Sequence, residues 1–164
     1  MVFCELFENE NDYIKEMSVL ASKIVKEYYD PIIGSEQNDY MIQKFQSYES
    51  IREQLSKGYR YFFVIDDENC KIGFIAVIQQ DKGLYLSKFY LEKAARGKGY
   101  ARLMMNFVIE NARKNHSRSV SLNVNKYNES RFIYEKLGFR QVRKEKIDIG
   151  GGYYMDDFVY EYLL

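Results

Sequence analysis

Along the first third of the chain, apolar side chains recur every three or four positions. Ile14, Met17, Leu20, Ala21, Ile24, Val25 and Tyr28 share one face of a helix over 12–29, behind a short strand over 2–7. Tyr40, Met41, Phe45, Ile51 and Leu55 mark a second helical stretch over about 36–57, with a break near Ser47 to Ser50. After Gly58 the period changes. YRYFFVI, CKIGFIAVI and LYLSKFYL are separated by the turn-forming DDEN and DKG, which predicts three consecutive antiparallel strands. From Gly99 the helical period returns, placing Leu103, Met104, Phe107, Val108 and Ala112 on one face to about residue 115. SVSLNVN then alternates as a strand, and 128–137 reads as a short helix ended by Gly138, which suits the left-handed residue past a helix end. Strands over about 139–147 and 153–162 close the chain around a hairpin turn at Gly150 to Gly152. A strand-helix-strand crossover requires at least one parallel pair. The pattern predicts an α+β fold: a mixed sheet of about seven strands covered by about four helices. The only proline, Pro31, falls between two helical patterns, and without linker or repeat one domain is expected over 1–164.

Composition narrows the classes of function. The chain has 164 residues, 46% of them hydrophobic, enough for a core that needs no metal or disulfide staple. Its 24 basic and 24 acidic side chains cancel, which argues against a polyanionic partner, so nucleic acid is not expected. Cys4 and Cys70 lie in strand-like stretches and are expected to be reduced and mostly buried. The lone His116 leaves no cluster with metal-ligand spacing, so no metal is expected. The longest apolar run, Ile72 to Ile78, falls far short of the ~20 residues of a membrane span. MVFCELFENENDY lacks the basic-then-apolar order of a signal peptide, and a cytoplasmic protein without a membrane partner is expected.

The chemistry concentrates in LSKFYLEKAARGKGYARLM, where a strand enters a turn containing Gly97 and Gly99 and passes directly into an amphipathic helix. Such a turn presents unpaired N–H groups at a helix N-terminus, where the dipole favours anions. Arg96, Lys98 and Arg102 add positive charge, and glycine lets a diphosphate approach the backbone. A dinucleotide fingerprint would need a third glycine where Arg102 stands, and no G-x-x-x-x-G-K-[ST] run exists. A plain tight turn with solvated basic residues is the competing reading.

Arg96-Gly97-Lys98-Gly99-Tyr100-Ala101 resembles the Q/R-x-x-G-x-G/A motif of the GCN5-related N-acetyltransferases (GNAT), with Arg96, Gly99 and Ala101 at the defining positions. Phe132-Ile133-Tyr134-Glu135-Lys136-Leu137-Gly138-Phe139 resembles that family's second hallmark, F-Y-E-K-L-G-F. The resemblance covers nearly the whole chain and implies the GNAT fold, a central, mostly antiparallel twisted sheet. It also implies an enzyme that moves an acetyl group from acetyl-CoA to a primary amine by direct transfer in a ternary complex. By the same resemblance, the amides of Gly97, Lys98, Gly99, Tyr100 and Ala101, with Arg96, hold the pyrophosphate. Main-chain groups of Phe89, Tyr90 and Leu91 pair with the pantetheine, and the Tyr134 hydroxyl protonates the leaving thiolate. The family's asparagine seven residues before the tyrosine is absent, since Tyr127 stands there; Asn128, one residue later, reaches the cofactor or serves as a helix cap. Ile133 stands where the family usually has an aromatic.

The acceptor is less defined. An alkylammonium must lose a proton before it attacks, yet Leu84 to Tyr90 contains no acid. Ser87, Glu92, Asp156 and Asp157 remain as candidates to move that proton. Residues 1–39 carry nine acids against three lysines, and with Tyr28, Tyr29, Tyr40, Tyr153 and Tyr154 they suit a polyamine or other small cationic amine. In that reading Asp156 or Asp157 holds a distal ammonium. YYMDDFVYEYLL loosely resembles the C-termini of bacterial polyamine acetyltransferases. A peptide amine, a homodimer, and a catalytically idle CoA-binding sensing or assembly module stay open as alternatives.

Overall fold

The computed structural model describes residues 1–164. In chain order the elements are β1 (Val2–Leu6), α1 (Asn11–Ile33), α2 (Ser35–Phe45), α3 (Tyr48–Ser56), β2 (Arg60–Ile65), β3 (Lys71–Gln79) and β4 (Leu84–Leu91). A 3-10 turn (Lys93–Ala95) leads to α4 (Tyr100–Lys114), β5 (Ser119–Asn125), α5 (Ser130–Lys136), β6 (Arg140–Gly150) and β7 (Tyr153–Leu163). The seven strands form one sheet in the order β1-β2-β3-β4-β5-β7-β6. β4 and β5 run parallel, joined by the α4 crossover, while β1/β2, β2/β3, β5/β7 and β6/β7 are antiparallel. The fold is the expected mixed α/β one, with five α-helices rather than four.

The extra helix has a local cause. The stretch expected over 36–57 divides at Ser47, whose Oγ accepts the Ser50 N–H at 3.2 Å and caps α3, while Ser50 Oγ donates to Lys44 O at 2.6 Å. α1 runs past Pro31, which lies in its last turn, and ends at Gly34, where φ is +84°. On α4 the buried face is Met104, Met105, Val108, Ile109 and Ala112, so Leu103, expected inside, is 48% exposed. The cysteines also differ from expectation, since both are exposed. Cys70 sits in the β2–β3 turn, where Asp66 Oδ1 accepts the N–H groups of Glu68 and Cys70. Cys4 lies on β1, the edge strand of the sheet, opposite Phe63.

The chain divides into two compact units. The first comprises Met1–Ile78 with Lys88–Met104. Its core joins Ile14, Met17, Ala21, Ile24 and Val25 of α1 to Ile51 of α3, Tyr61 and Phe63 of β2, and Phe74 and Ala76 of β3. Tyr29 and Tyr90 pack at its margin. The second comprises Gln79–Ser87 with Met105–Leu164. Along β5 burial alternates strictly, with Val120, Leu122 and Val124 inside and the polar residues at 119, 121, 123 and 125 on the opposite face. The β6–β7 hairpin turns at Gly151 and Gly152, both with positive φ, which joins two eleven-residue strands as the glycine run predicts.

Candidate active site

In the first unit, β4 delivers the chain to the glycine turn. Phe89, Tyr90 and Leu91 are half-buried. The Tyr90 ring stacks on Phe74 at 5.2 Å and meets the edge of Tyr29 at 6.3 Å, which fixes this end of β4. After the 3-10 turn, Gly97 and Gly99 take φ of +76° and +82°, a region that strains any side chain. Nothing lies within 4 Å of a Cβ built at either position, so the turn is open on its outer side. α4 begins at Tyr100, and its first-turn N–H groups have no intrahelical acceptor.

Arg96 is held from two directions. Its Nε donates to Leu91 O at 3.0 Å, and its guanidinium lies over the Tyr28 ring of α1 at 4.8 Å. Its Nη2 is buried without a hydrogen-bond partner. A buried cationic donor left unpaired is costly, and an anion at the turn would satisfy it. The residues present therefore fit a diphosphate: a fixed guanidinium, two left-handed glycines, the exposed Lys98 and a helix N-terminus share one short segment.

Beside this segment sits a residue to which sequence reading gave no role. Lys88 is only 6% exposed and has no carboxylate partner. Its Nζ donates to Phe45 O at 2.6 Å and to the Tyr61 hydroxyl, which in turn donates to Gln54 Oε1 at 2.6 Å. Gln54 Nε2 returns to Phe45 O at 3.2 Å. Burial pushes the Lys88 ammonium down to about 7 and the Tyr61 hydroxyl upward. Residues of β2, β4, α2 and α3 thus meet in one closed network.

In the second unit, Tyr134 lies on α5, is 9% exposed, and meets Phe139 edge-on with ring centroids 6.0 Å apart. The helix end is strongly determined. Gly138, at φ +100°, donates to Glu135 O at 3.1 Å and Phe139 N–H to Tyr134 O at 3.0 Å, the double closure of a Schellman motif. Ile133 is 47% exposed, so the missing aromatic there costs no core contact. Asn128 is buried, and its Oδ1 accepts the Ser130 N–H at 2.8 Å, shaping the entry to α5 as a cap would.

The same unit gathers polar groups on the outward face of β5. Tyr85 donates its hydroxyl to Asn123 Oδ1 at 3.2 Å. Asn123 Nδ2 donates to Glu145 Oε2 at 3.0 Å and to Asp157 Oδ2 at 3.4 Å. Strand register makes this meeting, since Asp157 pairs with Asn125 of β5 on one side and Glu145 of β6 on the other. Hydrogen bonds from Asn123 and Arg143 hold the Glu145 carboxyl below its ordinary range. Burial, with Glu145 nearby, pushes Asp157 up to about 6. Its neighbour Asp156 is tied to Lys126 at 2.5 Å.

The acids and tyrosines that suggested a cationic acceptor are partly committed within the chain. Glu5 pairs with Arg60, Glu16 with Lys71, and Asp30 and Asp39 with Lys26. Tyr28, Tyr40 and Tyr154 lie under Arg96, Lys44 and Lys146.

Comparison with known proteins settles the family. The family model described as Acetyltransferase (GNAT) domain matches residues 9–151, most of the chain. The chain belongs to the GNAT acetyltransferases. These are acetyl-CoA-dependent acyltransferases, and the resemblance seen in the two sequence motifs is thereby established. The GNAT fold is also shared with solved structures. A PaiA N-acetyltransferase from Thermoplasma acidophilum in complex with coenzyme A is 19% identical, with a TM-score of 0.78 and both chains covered in full. A GCN5-related N-acetyltransferase from Rhodopseudomonas palustris is 8% identical, with a TM-score of 0.79, covering 99% of this chain and 95% of that one. A GNAT-family acetyltransferase from Desulfovibrio desulfuricans, described as putative, is 19% identical with a TM-score of 0.68, over 99% and 98% of the two chains. No curated protein sequence matches significantly. No helix of this GNAT chain is long and apolar enough to cross a membrane.

Proposed function

We propose that this GNAT protein transfers the acetyl group of acetyl-CoA directly to a primary amine in a ternary complex, in the cytoplasm. The observation that carries the reading is the Arg96 turn, where a guanidinium fixed by Leu91 O and Tyr28 keeps a buried, unpartnered Nη2 beside two left-handed glycines. In this reading Arg96, Lys98 and the amides from Gly97 to Ala101 bind the pyrophosphate, with charge-assisted hydrogen bonds supplying most of the affinity. The main chain of Phe89 to Leu91 pairs with the pantetheine as an added strand would. The Tyr134 hydroxyl supplies the proton to the leaving thiolate, since a phenol is protonated at neutral pH and is needed only as charge develops on sulfur.

The acceptor we propose is a small amine, with polyamines as the first class to test. Asp156 is already paired with Lys126, so a distal ammonium there would compete with that lysine. The decisive experiment is thiol release from acetyl-CoA across a panel of diamines, polyamines, amino acids and peptide N-termini. Turnover with at least one amine is expected. CoA binding without turnover on any member would leave the protein a binding module.

A further inference from the structure

The reaction proposed above needs a group that takes a proton from the acceptor, and β4 carries no carboxylate to do so. Among all the side chains buried in this protein there is a single carboxylate, Asp157, at 3% exposure. We propose that Asp157 is the general base that deprotonates the acceptor ammonium, with Asn123 as the positioning residue that aims it; this rests on the acetyltransferase reading.

Three observations support the assignment. Asp157 is poorly satisfied, because its one hydrogen bond is the long 3.4 Å contact from Asn123 to Oδ2, and Oδ1 accepts none. A buried carboxylate normally accepts several strong hydrogen bonds, so one left this way is reserved for a donor that arrives from outside. Its place in the fold is the second observation. Asp157 pairs with Asn125, the last residue of β5, and the chain leaves that strand end directly for α5 and Tyr134. The parallel register of β4 with β5 stops at Leu86 and Leu122, just before Asn123. The third is electrostatic. Glu145 from β6 faces Asp157 and stays ionised through Arg143 and Asn123, whereas Asp157 itself is pushed up to about 6. From β4 Tyr85 faces the group through Asn123, and on β7 Asp156, although paired with Lys126, adds to the upward push on Asp157. Neighbouring carboxylates whose proton affinities are driven apart mark one as a fixed charge and the other as the group that cycles. Lys88, the other buried residue that ordinarily carries a charge, has its ammonium engaged by Phe45 O and Tyr61.

The proton balance is simple. One proton passes from the ammonium to Asp157 Oδ1 and on to solvent. The freed lone pair attacks the thioester carbonyl carbon, the carbon–sulfur bond breaks, and the second nitrogen proton leaves to balance the one taken by the thiolate.

The test follows kcat at saturating acceptor from pH 5 to 9 for the wild type, Asp157→Asn and Asn123→Ala, with CoA affinity and thermal melting measured in parallel. In the wild type kcat should fall below about pH 6. Asp157→Asn should lose roughly 100-fold or more at pH 7.5, lose the acid limb, and keep its CoA affinity. With an aromatic amine, already neutral at that pH, the loss should shrink to roughly 5-fold or less, because no proton has to be removed before attack. Asn123→Ala should move the acid limb to higher pH, since it removes a hydrogen bond that favours the charged carboxylate. An acid limb that persists in Asp157→Asn, or an equal loss with both amines, overturns the proposal. So does a limb abolished by Lys88→Met alone. A wild type inert toward every amine removes the acetyltransfer reading and this one with it, which no variant result would mimic.

Discussion

The glycine turn after β4, the proposed phosphate site, and the polar face of β5, which holds the proposed base, are built in opposite ways. In the turn, six consecutive residues from Arg96 to Ala101 carry nearly everything: two left-handed glycines, two cationic side chains and a helix start. On the polar face, Tyr85, Asn123, Glu145 and Asp157 come from four strands and meet only because the registers of β4, β5, β6 and β7 agree. A site of the first kind survives as long as its own few residues do. One of the second kind depends on strand pairing made far away in sequence, and its chemistry comes from burial and proximity rather than from residue type.

That contrast can be broken experimentally. The largest effect is expected outside the turn, at Tyr134→Phe, which should lower kcat roughly 10- to 1000-fold while shifting CoA affinity far less. Steady-state kinetics with a calorimetric Kd reads both, and an unchanged kcat would remove Tyr134 from the mechanism. Gly99→Val should do the reverse. It strains a residue at φ +82° and puts a branched side chain where the backbone is proposed to meet phosphate, so CoA affinity should fall roughly 10- to 100-fold in a folded protein. Unchanged affinity would move the pyrophosphate elsewhere. Arg96→Lys sharpens the comparison, because it keeps the charge but gives up the planar stack on Tyr28 and the donor to Leu91 O. A loss of roughly 5- to 10-fold in CoA affinity is expected, with the pH profile of kcat unmoved.

The last effect concerns Lys88 and is read in stability rather than in binding or turnover. Its folded-state pKa of about 7 lies below the ordinary 10.5, so between those values the unfolded chain binds more protons. Stability should therefore rise from pH 7 toward 10.5, by at most about 1.4 kcal/mol per pH unit from this group. Urea melts at pH 7 and 9.5 should show that gain in the wild type and a flatter response in Lys88→Met.

Much of this was legible along the chain, for stated reasons. The turn could be read because glycine spacing and flanking charge are local. Gly138 could be read because a helix cap needs only its own neighbours, and SVSLNVN announced its two faces by alternation. Lys88 could not be read, and Asp157 could be read only as one of several acids near the last strand. Alternation tells which residues share a face, but not that α2 and α3 close over one lysine, nor that Glu145 stands beside one aspartate. For Lys88 the one available signal was a lone charge in a largely apolar and aromatic strand; Asp157 shares its strand with Asp156 and Glu161 and had no such mark. Leu103 and the two cysteines failed for the converse reason. An apolar side chain at the margin of a helix face, or in a strand-like run that ends at an edge or a turn, has the right type and no covering neighbour.

The β6–β7 and β1–β2 pairings also differ in time. β6 and β7 are joined by two residues, so they can zip within microseconds of being free to move. β1 has no such neighbour. Val2 pairs with Ile65 and Leu6 with Tyr61, so its partner strand is made some sixty residues later. At ribosomal speeds that interval is roughly 3–12 s, during which a strand bearing Val2, Phe3 and Leu6 has nothing to pair with. β1 thus waits on β2 for its partner, whereas β6 needs only the next strand in the chain.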